Sequence, residues 1–443
     1  MPKSLLSKNL IELIRHTLNM IHKRLDRVYL QPIISCGVFI FFAFTFTVPS
    51  GYSYGAILLL FVSIVNLFSQ SKIGMSGEDR ILAYLLLASF LAALVAFIIH
   101  NEQIKNLDQS SRYLLFIPIL FLLLKIPPSA QALWAGLISA TLSALALALW
   151  QRYIQGNPRP DGFMTSAIPF GNLSIMAGIL CLTGVSWANT QFRYARLWRI
   201  ALCAGFLAGI YTSLLSGSRG GWLTLPVAFL IFIAAFIKKR SLKVNMVGVS
   251  LFLSAIGIVG ISMQAEITAR YEIAIAEIHD YASNRNAATS TGLRLEAWRA
   301  AMMSIKKQPI VGWGYREYEA RLNQLVDERK IDISVTSLAN THNNFLEVWL
   351  HQGLFGFLVF LALFAVTFCL FCKRLRSNDH AVQAFALGGT CLLASFFVFS
   401  LTQVILGRNN GVIFFGLSLV IFWACMRNAE QKAAERNQTS AGQ

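Results

Sequence analysis

The chain has 443 residues, of which 56% are hydrophobic and 13% charged, and its formal net charge is +17. A soluble domain carries about 25% charged residues. The low charge content here, with apolar runs of roughly 17–25 residues recurring along the sequence, excludes a soluble enzyme and the short alternating strands of a membrane barrel. The basic excess falls on alternate connections between those runs, so it reads as membrane orientation and predicts no nucleic-acid partner.

In chain order, residues 1–28 contain IELIRHTLNMIHKRLDR, an amphipathic basic segment expected to lie on the cytoplasmic leaflet. It lacks the apolar core of a cleavable signal peptide. The hydropathy predicts an all-α polytopic membrane protein of about twelve spans. They lie near 30–49, 54–70, 81–100, 112–126, 130–150, 164–188, 197–216, 221–237, 244–263, 344–371, 381–405 and 411–426. This divides the chain into a membrane domain over 29–263 (spans 1–9), a helical loop over 264–343, a second membrane portion over 344–426 (spans 10–12) and a cytoplasmic tail over 427–443. With the N-terminus inside, cytoplasmic connections hold 22 Lys and Arg, the short outer connections 6 and the long loop 10. That asymmetry puts the loop on the outer side, which in a bacterial inner membrane is the periplasm. All seven cysteines lie in or at the ends of apolar runs, so no disulfide framework is expected, and Cys369-x-x-Cys372 reads as packing.

The loop itself has helical patterning. AEITARYEIAIAEIHDY (265–281), LRLEAWRAAMMSIKK (293–307) and REYEARLNQLVDERK (316–330) are predicted helices. The polar linker 283–292 and the breaker QPIVGWGY (308–315) separate them.

Three polar groups on the outer side stand out against the membrane background. Arg219 sits in SGSRGGW, Arg294 in STGLRLEAW and His342 in THNN. Each falls at or near a predicted helix start, which Ser218, then Ser290 or Thr291, then Asn340 or Thr341 could cap. Helix starts favour anions, and Gly220 and Gly221 would let backbone N–H groups approach one closely. If the three starts converge, they form a pocket for a di-anion such as a pyrophosphate, with two guanidiniums adding bidentate contacts. The positive helix end would keep the His342 imidazole neutral and able to take a proton from a hydroxyl. Taken singly, each residue also has a plainer reading: His342 as a capping or solvated side chain, Arg219 as a headgroup anchor, Arg294 as a solvated charge. Arg152 and Arg159, around the turn NPRPDG, could touch lipid phosphate. Gln403 and Arg408 are supporting polar groups, and His351 is expected to pack or bond within the bundle. The outer face shows no metal-ligand spacing, the chain no Walker motif and no G-x-S-x-G elbow.

In order, SGSRGGW, GLRLEAWRAAM…QPIVGWGY and HNNFLEVWLHQGLFG resemble the O-antigen ligase and polymerase superfamily of bacterial envelope enzymes. The layout of about twelve spans with one large late loop resembles it too. The resemblance implies a GT-C-type glycosyltransferase that is inverting, independent of metal and without cofactor. It implies a donor, undecaprenyl-pyrophosphate-linked O-antigen, and for a ligase an acceptor, a sugar hydroxyl of lipid A–core. Arg219, Arg294 and His342 match the superfamily's two arginines and its histidine. Gly220, Gly221, Asn343, Asn344, Arg152, Arg159 and Arg408 are the candidate substrate-binding residues. A polymerase or a protein O-oligosaccharyltransferase would carry the same motifs. A lipid-linked oligosaccharide transporter, from a different class, would instead line a route through the bundle with charge.

Overall fold

The computed structural model describes residues 26–67, 74–164, 166–236, 264–284 and 287–441, together with Gly257 and Ile261. The described residues are helical, without strands. The helices are α1 (Gln31–Phe44), α2 (Gly51–Leu67), α3 (Gly77–Ile99), α4 (Asp108–Lys125), α5 (Ala130–Tyr153), α6 (Ala167–Ala188) and α7 (Ala195–Ser216). They continue with α8 (Arg219–Phe236), α9 (Gln264–Asn284), α10 (Ser290–Lys307), α11 (Gly314–Asp327), α12 (Asn344–Cys372), α13 (His380–Thr402) and α14 (Asn409–Ala441). Nine of the described helices are long and apolar enough to cross a membrane, and α1 and α2 are shorter apolar helices. These eleven coincide with eleven of the predicted spans. The ninth, 244–263, and most of the basic segment 1–28 lie outside the described residues. The helix predicted to end at 426 runs on to Ala441, because NAEQKAAERNQ is rich in good helix formers.

The centre of the bundle is α6, α13 and α14, whose apolar windows are 83%, 78% and 89% buried against 28% for α8. Small residues bring α6 and α7 together. A Cβ on Gly209 would come 2.5 Å from the Ser174 carbonyl oxygen and 2.8 Å from the Gly178 Cα, so the two backbones touch where larger residues would hold them apart. At one end of the bundle, buried Asp79 of α3 accepts from the Trp423 indole N–H at 2.9 Å and the Arg427 Nε at 3.2 Å, both on α14. Arg374, just past α12, bridges Glu78 and Glu430. A buried carboxylate needs such partners, and here they fix three helices against one another.

At the opposite end, α10 and α11 pack around a small core of Ala297, Ala300, Ala301, Ile305, Leu322 and Leu325 that also takes in Leu350 of α12. The predicted continuous span 344–371 is broken there. Gly353 adopts φ 65°, ψ −168° inside α12. The break frees backbone groups, and QPIVGWGY supplies their partners: Trp313 N–H donates to the Leu350 carbonyl at 2.7 Å, and Leu354 N–H donates to the Pro309 carbonyl at 3.0 Å. A Cβ on Gly353 would lie 2.1 Å from the Ile310 carbonyl oxygen, so only glycine admits this contact.

Candidate functional site

His342 sits in the turn entering α12. Its φ is +54°, a left-handed value uncommon in a residue with a Cβ. Four contacts hold it there. Its own N–H donates to Asn340 Oδ1 at 3.0 Å. Thr341, the residue before, donates through its N–H (2.9 Å) and its hydroxyl (2.7 Å) to the buried Glu347 Oε2. The Trp298 indole N–H, one helical turn beyond Arg294 on α10, donates to the Thr341 carbonyl at 2.9 Å. Residues i and i+4 share a helix face, so Trp298 brings Arg294 to the His342 turn. The two are within electrostatic reach of each other.

The imidazole is half-buried. The Gln403 side chain is in hydrogen-bonding reach, Arg408 is close enough to act on the charge, and Nδ1 is buried with no hydrogen bond among the described residues. Burial, then Arg294, then Arg408 hold the His342 pKa below its ordinary value, against the opposing pull of Gln403 and Glu347. The direction is the one expected from sequence, but the cause differs. At the helix end itself, Asn343 Oδ1 accepts from Phe345 N–H and Leu346 N–H. Asn343, and not Asn340 or Thr341, is therefore the cap of α12, and Thr289, not Ser290 or Thr291, caps α10. The anion pocket of three open helix starts is thereby reduced to one: only the start of α8 has no side-chain cap.

Ser218 does not cap α8 because its hydroxyl turns inward, donating to Asn172 Oδ1 at 2.6 Å. Asn172 is fully buried in α6, and a Cβ on Gly221 would meet its Oδ1 at 3.0 Å. The SRGG turn thus lies flat on α6, with the Arg219 residue exposed. A Cβ on Gly220 would come 3.0 Å from the Thr402 hydroxyl at the end of α13. The His342 turn meets the same stretch of chain: Asn343 Nδ2 donates to the Leu401 carbonyl at 3.3 Å, and Leu406 N–H donates to Asn344 Oδ1 at 3.2 Å. The segment Leu401–Leu406 is the common floor of both motifs. Arg159 reaches the SRGG turn, its Nε 3.4 Å from the Ser216 carbonyl. Arg152 turns the other way, to the Pro158 carbonyl, and braces its own loop.

Sequence reasoning passed over Glu347. It sits 6% exposed at the head of an apolar span. It also meets His351 Nε2 at 3.5 Å, while His351 Nδ1 lies 2.8 Å from the Gly314 carbonyl oxygen and the ring stacks on Tyr315 at 3.9 Å. A carbonyl only accepts, so Nδ1 carries a proton. This Thr341–Glu347–His351–Gly314 chain ties the His342 turn to the GWGY turn. A Glu and a His four residues apart in an apolar helix were the available signal.

A bundle in which nine of the described helices are long and apolar enough to cross a membrane defines a multi-pass membrane protein. Residues 204–361, which span the SRGG, GWGY and HNN motifs, match the family described as O-antigen ligase. That match supports membership of the O-antigen ligase superfamily. A Haemophilus influenzae protein described as uncharacterized is 27% identical over 390 residues, covering 87% of this chain and 96% of that protein.

Proposed function

We propose that the chain is an O-antigen ligase of the bacterial inner membrane. It would transfer glycan from undecaprenyl pyrophosphate to a sugar hydroxyl of lipid A–core. The observation that carries the reading is the meeting of Arg294, Arg408 and His342 beside a floor shared with the SRGG turn. The positive-inside count supports a periplasmic position for this cluster. The division into two membrane portions, a periplasmic loop over 264–343 and a cytoplasmic tail fits that orientation.

The chemistry follows from the groups present. A neutral His342, with its Nδ1 unengaged by protein, accepts the proton of the acceptor hydroxyl. The hydroxyl oxygen attacks the anomeric carbon opposite the leaving group, so configuration inverts. The glycosyl–oxygen bond to pyrophosphate breaks, and Arg219 and Arg294 stabilise the charge that grows on the departing oxygens. Two fixed guanidiniums supply the neutralisation that a divalent metal would otherwise give. Arg159 and Arg408 extend the cationic rim, Gly220 and Gly221 let the pyrophosphate approach the uncapped start of α8, and Asn343 and Asn344 hold the floor. Arg152, turned to its own loop, has no such support.

The test is reconstitution of the purified chain with a lipid-linked glycan and lipid A–core in chelator. Ligation to the core is expected, and His342→Ala should abolish it. Elongated lipid-linked chains in place of ligated core would make the protein a polymerase. Movement of the lipid-linked glycan across the bilayer, undiminished in His342→Ala, would make it a transporter.

A further inference from the structure

Next to the cation cluster lies a cavity of about 220 Å³ that His342, Arg219 and Arg294 do not line. Its wall joins three separate stretches of chain: Asn106, Gln109 and Ser110 around the start of α4, Asn340 and Asn344 on either side of His342, and Gln352 beside the α12 break. We infer that this cavity is a subsite for one uncharged sugar residue of the reacting glycan. The inference rests on the glycosyl-transfer reading above and adds to it a place and a chemical class.

Sugar hydroxyls donate and accept at once, and carboxamides are the side chains that answer both demands without charge. The amides here are already oriented. Asn340 Oδ1 accepts from His342 N–H at 3.0 Å and Asn344 Oδ1 from Leu406 N–H at 3.2 Å. Each therefore has its oxygen engaged by backbone, and among the described residues neither NH₂ donates to a protein acceptor. Asn106 is set the opposite way, donating through Nδ2 to Glu102 Oε2 at 2.5 Å and keeping its carbonyl as an acceptor. The cavity thus offers donors on the α12 side and an acceptor on the α4 side.

Charge is nearly absent. The carboxylate in the lining, Glu347, already accepts both Thr341 donors. Arg408 is the cation of the lining and lies within reach of His342. Tyr113, Tyr315 and Phe360 add aromatic surface for the apolar faces of a ring. The cavity has room for a small ring. Asn340 and Asn344 are each two residues from His342, so the cavity adjoins the turn that carries the imidazole.

The full-length protein in nanodiscs would be tested by saturation-transfer NMR with methyl glucoside and methyl galactoside as neutral probes and methyl glucuronide as the anionic one. The expected result is transfer to the neutral probes that falls at least fivefold in Gln109→Ala/Gln352→Ala. Neither glutamine side chain makes a hydrogen bond among the described residues, so the double variant should keep the wild-type unfolding temperature. Absence of signal in the wild type, an undiminished signal in the variant, or equal signal from the glucuronide would each overturn the subsite. In a transfer assay, a raised KM for lipid-linked donor assigns the sugar to the donor, and a raised KM for lipid A–core assigns it to the acceptor. If the neutral probes bind as expected while the wild type transfers no glycan, the ligase reading falls and the sugar site stands.

Discussion

Gly353→Ala tests whether the break in α12 is built around the GWGY turn. A left-handed φ of 65° costs an alanine about 1–2 kcal/mol. The new Cβ would also lie 2.1 Å from the Ile310 carbonyl oxygen, a distance that no side-chain rotation relieves because the obstacle is backbone. The turn must therefore move away. Moving it breaks the bonds from Trp313 N–H to the Leu350 carbonyl and from Leu354 N–H to the Pro309 carbonyl, each worth about 1 kcal/mol net. The total is about 3–4 kcal/mol against docking. A regular helix through alanine returns about 1 kcal/mol relative to glycine, but to the undocked form. Together these come to about 4–5 kcal/mol, so docking should weaken by about three powers of ten or slightly more at 1.4 kcal/mol per decade. Hydrogen exchange of the Trp313 and Leu354 amides reads this directly: both should lose protection by about that factor, while amides in the α6 core keep theirs. Unchanged protection at both amides would refute the claim that glycine is required for the loop to dock.

Other consequences concern the His342 turn and its charge. A general base acts in its neutral form, so the kcat/KM profile should fall on the acid side with a midpoint below the ordinary His value of about 6.5. Arg294→Gln removes a cation that lowers the His342 pKa, so that limb should move to higher pH while kcat drops about 10²-fold from lost charge stabilisation; a stationary limb would separate Arg294 from His342. Glu347→Gln can keep its carbonyl on Thr341 and turn its NH₂ to His351, so the turn survives but a pKa-raising charge is lost. The limb should then shift to lower pH, and a shift upward, or none, would contradict the electrostatic coupling. Trp298→Phe deletes the bond to the Thr341 carbonyl, worth about 1 kcal/mol, and should lower kcat/KM about fivefold with little change in chemical denaturation. Asn343→Ala removes the α12 cap at a cost of about 1 kcal/mol, and its effect should appear first in the thermal midpoint.

The membrane helices were legible because twenty apolar residues in a row admit few other readings. Eleven of the predicted spans reappear with ends shifted by a few residues, except that the last helix runs on to Ala441. The loop helices were legible from their period. The break at Gly353 was not, since a glycine in an apolar helix carries no local sign of an incoming turn, and the partners of Leu350 and Leu354 lie some forty residues upstream. The candidate residues were legible as positions: Arg294 and His342 do come together, and the SRGG turn reaches the same floor. Their supports were hidden for a common reason. Asn172 and Glu347 sit inside or at the head of apolar spans, where a single polar residue reads as packing until its partner is known, whereas Gln403 could be read from the sequence as a supporting polar group. The capping residues were misplaced by one to three positions because Ser, Thr and Asn cluster at each start, and only backbone geometry selects among them.

The three motifs divide their residues between chemistry and assembly, and the division explains why they occur together. In HNNFLEVWLHQGLFG, His342 is the residue to which the proposed mechanism gives the proton. Asn343 caps, Asn344 holds Leu406, Glu347 anchors Thr341, His351 receives the loop and Gly353 makes room for it. In GLRLEAWRAAM, Arg294 lies within electrostatic reach of the imidazole, while Trp298 pins the carbonyl beside it. The left-handed φ of His342 costs roughly 1–2 kcal/mol, and it is held by bonds from Trp298, Asn340 and Glu347 that arise on both the loop and α12. Undocking the loop would release Trp298 from Thr341 and Gly314 from His351, leaving the turn with fewer bonds than its strain requires. The loop is therefore part of the His342 turn's own support, and a chain that folded its membrane helices but left residues 290–327 undocked should present His342 in a relaxed backbone, away from Arg294.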